Sequence, residues 1–334
     1  MNHSPKPWLL SLALSMLGAV GIALGSAMGS TGWEPWWQAV QDPVSWQIVW
    51  DIRLPRSLGA WAGGALLGLA GALAQGLFRN PLADPYLLGS ASGASLGVAI
   101  FLSLFGGSVM AMGWLMKVGM TGAAFVGAVL AVMLTLVLAR GVQHTLRLLL
   151  AGVVVGVVLG AITSLLNLWR PEVWQGMQGF MLGSTGFIGW TACLLMSGVL
   201  LLCSALAVMM ARVLDALTLG ENTARSLGVP LSQARVWLIA VIALATGTAV
   251  AQMGLIAFVG LAAPHVVRAM VRATHRWTVV LASLTGGLLL LLADLLARGL
   301  IAPQEMPVGV LTAVLGGGYL LWRMSRMSSV GGRS

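Results

Sequence analysis

Charge is what this chain has least of. Only 8% of its 334 residues are Asp, Glu, Lys or Arg, where a water-soluble domain carries about 25%. That leaves too little polar surface to cover a soluble globule. Lysine is nearly absent: Lys6 and Lys117 are the two in the sequence, and neither follows a glycine-rich loop. With no Gly-x4-Gly-Lys-Ser/Thr string, the chain does not bind and split ATP by a P-loop. Cysteine stops at Cys193 and Cys203, ten residues apart in one apolar run. On a helix that separation is about 15 Å of rise, too far for a disulfide, so both read as packing residues. His3, His144, His265 and His275 are scattered without metal-ligand spacing. A membrane enzyme would want clustered His, Asp or Glu at one membrane face. A channel would want a repeated polar filter. Neither pattern is present.

What is present is apolar sequence: 58% hydrophobic residues and a mean hydropathy of +0.94. The apolar runs extend about twenty residues without alternation, which the bilayer accepts as helices. The reading is an all-α polytopic membrane protein forming one transmembrane domain over 1–334. It has about ten spans, at roughly 8–28, 57–77, 90–106, 114–138, 147–168, 189–210, 234–254, 257–270, 278–298 and 308–323. The first run is too long for a signal-peptide core and reads as a retained span. Net charge of +9 could suggest nucleic acid, but its distribution is a topology signal. With the N-terminus inside, Arg53, Arg56, Lys117, Arg170 and Arg298 fall outside or in the outer half, and the rest of the eighteen basic residues fall inside. Both termini are then cytoplasmic.

One polar island breaks the second half: Arg212–Arg235, RVLDALTLGENTARSLGVPLSQAR. It reads as two short helices, one ending near Leu219-Gly220 and one over Glu221–Leu227, with Gly228 as the stop and Pro230 after it. A compact folded element in a cytoplasmic loop reads as something offered to a partner. Another loop, FRNPLADPYLLGSASG after the second span, has Asn80 and Asp84 each before a proline, which predicts turns. Small residues recur at spacing four: Gly64/Gly68/Ala72/Gly76, Gly89/Gly93/Gly97, Gly119/Ala123/Gly127/Ala131 and Gly152/Gly156/Gly160/Ser164. Each set shares a helix face and predicts close packing in one bundle. Tryptophans crowd the outer loops, Trp33, Trp36, Trp37, Trp46 and Trp50 in one and Trp169, Trp174 and Trp190 in another. They suit an interfacial belt or, more sharply, an aromatic mouth for a flat ligand. Asp294 is the one carboxylate deep in a span, with Arg298 four residues on. It reads as a structural pair or, alternatively, a proton relay.

Five strings, in order, resemble the FecCD-type, BtuC-like permeases of bacterial type II ABC importers: Ile52–Ala94, Leu146–Gly156, LTLGENTARSLGV, GLIAFVGLAAPHVVR and Ala293–Trp322. The resemblance implies a homodimer of ten-span subunits in the bacterial inner membrane. Two cytoplasmic P-loop ATPase subunits would dock on it and use ATP and magnesium, the chain itself binding no cofactor. A periplasmic binding protein would deliver a metal chelate, an iron–siderophore first as the family's commonest cargo, then cobalamin, then haem. The resemblance assigns binding-protein docking to Arg53, Arg56 and Arg298. It assigns ATPase coupling to Leu219, Gly220, Glu221, Ala224, Leu227 and Gly228, within a segment spanning 212–235. The cytoplasmic gate falls on Asn80, Leu82, Thr145 and Leu146, where leucine at 146 departs from the small polar residue of the cobalamin relatives. The rival reading is an ion-coupled secondary carrier working without an ATPase.

Overall fold

A computed structural model describes residues 6–29, 32–105, 113–139, 141 and 145–331. His3 and His144, named above, lie outside the described residues, as do Arg140 and Arg333 of the basic residues assigned inside and the predicted end of the third span at Gly106. Among the described residues the regular structure is helical, apart from a hairpin of two-residue strands, β1 (Met28–Gly29) with β2 (Gly32–Trp33). Each predicted span has its helix: α1 Pro7–Ala27, α4 Leu54–Phe78, α5 Ser90–Phe105, α6 Gly113–Leu138, α7 Thr145–Trp169, α9 Trp190–Thr218, α11 Leu231–Met253, α12 Val259–Met270, α13 His275–Gly299 and α14 Val308–Gly331. Among the described residues, seven helices are long and apolar enough to cross a membrane by length and composition. The helix α12 rises only about 18 Å, short of a bilayer core of roughly 30 Å. The irregular segment 254–258 leads into it from α11.

Three short helices were not anticipated, α2 Trp36–Ala39, α3 Pro43–Ile48 and α8 Pro171–Leu182, while the expected short helix of the polar island is α10 Glu221–Ser226, one residue shorter than expected. The second span is also longer than its apolar run. It starts at Pro43 and continues through a π turn, Val49–Arg53, into α4. Pro55 has no N–H to give to the helix ladder, and the wider turn just before it re-registers the bonding. Arg53 and Arg56 therefore sit on a helix rather than in a loop before one.

The small-residue ladders are packing faces. A methyl group on Gly64 would strike the Gly286 carbonyl, and one on Gly68 the Ala282 carbonyl, so α4 and α13 touch backbone to backbone. The faces of α5 and α6 meet in the same way, Gly93 against Gly127 and Gly97 against Ala123. In α7 the ladder divides. Gly152 packs against the Leu87 carbonyl, whereas Gly160 has nothing within 4 Å.

Irregular backbone inside the bundle keeps its polar groups bonded, as a bilayer demands. Leu255 N–H donates to Phe180 O (2.9 Å), Ser184 N–H to Met253 O (2.8 Å), and Tyr86 Oη to Ile256 O (3.1 Å). Tyr86 lies on a 3-10 turn, Pro85–Leu88, so the 79–89 loop folds back into the bundle.

Candidate functional site

The helices gather the predicted residues into two groups, one at each end of the bundle. At one end the N-terminus of α4 meets the C-termini of α1 and α13. Asp294 is fully buried there and accepts four hydrogen bonds. They come from Arg56 Nε (3.1 Å) and Nη2 (3.0 Å), from Thr185 Oγ1 (2.5 Å), and from Arg298 one turn along its own helix. Arg56 continues to Glu305 (2.8 Å), and Arg53 pairs with Glu34 (2.9 Å). Arg298 also donates to Gly25 O (2.9 Å) and Ser57 Oγ (3.1 Å). Three arginines thus face three carboxylates, and the cluster is internally neutral.

That geometry changes the standing of the predicted docking arginines. Arg298 is 1% exposed, so its guanidinium offers no surface to a second protein in this conformation. Arg53 and Arg56 are buried as well, at 8% and 9%, and reach the surface through their partners Glu34 and Glu305, about a third exposed. Asp294 is held by two arginines, which is the structural pair expected of it and more: Arg56 comes from 238 residues away. Thr185, Ser57, Glu34 and Glu305 escaped sequence reasoning, because a pairing across that much chain leaves no local pattern.

Tryptophans surround this end. Trp33, Trp36, Trp37, Trp46, Trp50, Trp169 and Trp174 are all exposed. The rings of Trp50 and Trp190 stand 5.4 Å apart, and Trp190 Nε1 donates to Trp50 O (2.9 Å). Beside them a cavity of about 390 Å³ opens between α6, α8 and α11, lined by Met116, Lys117, Met120, Phe180, Phe187 and Met253. Lys117 donates to Phe187 O.

The other end holds the polar island. Its first part is not a short helix but the last turns of the 29-residue α9, because the apolar face runs on through Leu214 and Leu217, both buried. Gly220 breaks it at φ 102°, a left-handed value that favours glycine. Next, α10 closes as a Schellman motif: Val229 N–H donates to Ala224 O (3.1 Å) and Gly228 N–H to Arg225 O (2.9 Å). Ala224 anchors α10 inward, fully buried, while Leu219 and Leu227 are each 63% exposed. Glu221 pairs with Arg235 (2.6 Å). Asp215 caps α13, accepting from His275 N (3.0 Å) and lying 2.7 Å from its Nδ1.

The predicted gate residues lie at the same end. Asn80 Oδ1 accepts from Leu82 N (2.9 Å) and Asp84 Oδ1 from Tyr86 N (2.8 Å), the two turns predicted before prolines. Burial raises the Asp84 carboxyl above the usual carboxylate range, against the pull of the Tyr86 amide. Leu82 and Leu146 are exposed, and Thr145 opens α7.

A polytopic helical bundle with small-residue helix contacts, a loop folded back among the helices and a short folded element at one end has the architecture of a multi-pass membrane protein. The FecCD transport family matches residues 12–326, and the chain belongs to it. It is 41% identical over 286 residues to the hemin transport system permease protein HmuU of Yersinia pestis, covering 84% of each chain. It is 38% identical to the vitamin B12 import system permease protein BtuC of Vibrio cholerae, covering 84% of this chain and 83% of that one. A solved structure of a metal-chelate type ABC transporter in an inward-facing conformation superposes with a TM-score of 0.83 at 29% identity, covering 95% of this chain and 100% of that one.

Proposed function

We propose that this chain is the permease subunit of an ATP-driven importer that moves a metal chelate from periplasm to cytoplasm by alternating access. The observation that carries the reading is the pairing of a buried, internally neutral charge cluster at one end with a folded element displaying bare leucines at the other. In this reading the α10 end is cytoplasmic. Two ATPase subunits seat on Leu219, Gly220 and Leu227, with Ala224 and Gly228 fixing the element's shape and Glu221 tying it inward to Arg235. The Asn80–Leu82 and Thr145–Leu146 segments form the gate.

A second copy completes the pathway. Support for a homodimer comes from α7, whose Gly160 is open and whose Val153, Val157, Leu165 and Leu168 are exposed. An open small-residue face in a bilayer lets another helix approach closely. At the periplasmic end a binding protein docks over Arg53 and Arg56. Arg298 serves docking indirectly, by holding the Asp294 carboxylate against Arg56. An acidic partner would have to compete with Glu34 and Glu305 for the two outer arginines.

Within the chelates, iron–siderophore, cobalamin and haem all remain candidates. We favour a flat tetrapyrrole, since the two curated relatives above carry hemin and vitamin B12 permease names and exposed tryptophans ring the docking end. Asp294 as a proton relay, which an ion-coupled carrier would need, is disfavoured because Arg56, Arg298 and Thr185 already occupy its carboxylate oxygens. The test is Leu227→Arg in the reconstituted complex. It should lower transport per ATP by at least roughly tenfold, whereas unchanged coupling would count against α10 as the ATPase seat.

A further inference from the structure

One carboxylate at the α10 end joins three separate stretches of chain. Glu221 Oε1 lies 2.6 Å from Arg235 Nη2 and 4.0 Å from Arg79 Nη2. The same Arg235 nitrogen lies 3.4 Å from Thr145 Oγ1. The Arg235 side chain is only 3% exposed, and Glu221 gives it a carboxylate counter-ion. Arg79 occupies the left-handed region, φ 49° and ψ 36°, unusual for a residue with a Cβ. It ends α4 as Gly228 ends α10, with Asn80 N–H donating to Gln75 O (3.2 Å). Arg79 directly precedes Asn80–Leu82, and Thr145 directly precedes Leu146.

We propose that Glu221 is the positioning residue that ties the coupling helix to both gate segments. This rests on the coupling and gate reading above. The physical reason is charge. Arg79 and Arg235 flank the carboxylate, and Arg225 lines a cavity of about 330 Å³ beside Arg235. Withdrawing Glu221 would take a carboxylate from between Arg79 and the buried Arg235. Movement of α10 therefore draws Arg79 and Arg235 with it, and through them the starts of the Asn80–Leu82 turn and of α7. The two gate segments, 65 residues apart in sequence, move as one because they share one anion.

The test uses the full complex with its ATPase, reconstituted in vesicles. Leu82→Cys and Leu146→Cys are made singly and labelled with a membrane-impermeant maleimide from the α10 side, with and without ATP. Native Cys193 and Cys203 are buried and stay silent. With Glu221 intact, labelling at both positions should respond to ATP. With Glu221→Gln the response should shrink roughly tenfold at both, and with Glu221→Asp, which keeps the charge, most of it should return. Arg79→Gln should remove the response at position 82 and spare that at 146. A normal ATP response at both positions in Glu221→Gln overturns the proposal. Loss of the ATPase from Glu221→Gln on co-purification also overturns it, since Glu221 would then hold the ATPase instead. Labelling that ignores ATP even with Glu221 intact would sink the gate reading itself, and the relay with it.

Discussion

Asp294 is the residue on which the arginine-cluster end of the bundle depends. An isolated carboxylate at that depth would be costly, and so would an isolated Arg298. Together, with Arg56 and Thr185 completing the anion's bonds, they cost less than either alone. Removing one member strands the others. Asp294→Asn should therefore destabilise the subunit by about 3–5 kcal/mol, read as a marked fall in the thermal unfolding temperature of the detergent-purified protein. An unchanged melting curve would mean the arginines are solvated in a way this packing does not allow. Arg298→Lys should be nearly as harmful, because an ammonium cannot hold Asp294, Ser57 Oγ and Gly25 O together in one plane. Sequence reading reached half of this cluster. The Asp294–Arg298 spacing announces a same-face pair, but Arg56, Glu305 and Thr185 arrive through tertiary folding. The burial of Arg298 likewise follows from α1 and α4 packing over the end of α13, which no local pattern encodes.

The elements follow the small-residue ladders. Where carbonyls of one helix meet glycines of the next, no side chain larger than hydrogen fits without moving backbone. Gly68→Leu should thus wreck the α4–α13 contact and abolish accumulation of folded protein in the membrane. By contrast, Gly160→Leu, at an open position, should leave the folded subunit's yield intact and weaken its self-association, measured by cross-linking or mass photometry. Equal loss for both variants would contradict the division of the α7 ladder. The apolar runs made a helix legible at each of the ten expected places, because length and lack of alternation leave the bilayer few options. The turns at Asn80-Pro81 and Asp84-Pro85, and the stop at Gly228, were legible from residue type alone. The π turn before Pro55, the outer helix α8 and the continuity of α9 were not. Each depends on how apolar faces find partners, and Leu214 and Leu217 become buried only once α13 and α4 are in place. The island's own helix, Glu221–Ser226, was legible, while its ionic ties to Arg79 and Arg235 were not.

At the scale of the whole molecule, the charges are sorted to the two ends of an apolar body. One end keeps its arginines paired with internal carboxylates. The other displays Leu219 and Leu227 around a folded helix. This is the arrangement expected of a subunit that receives cargo from one protein and energy from another. If docking works through Arg53 and Arg56, reversing both to glutamate should weaken capture of the binding protein by at least roughly a hundredfold. In the unsubstituted pair, raising salt should slow association. Capture by the reversed variant at normal affinity would remove both arginines from the docking surface. The central claim, import powered by a separate ATPase, is tested most directly in proteoliposomes holding this chain with its ATPase and a chelate-loaded binding protein. Uptake of labelled metal chelate should require internal or external ATP on the α10 side, stop when the ATPase is left out, and ignore an imposed proton or sodium gradient. Uptake driven by such a gradient without the ATPase would contradict the account.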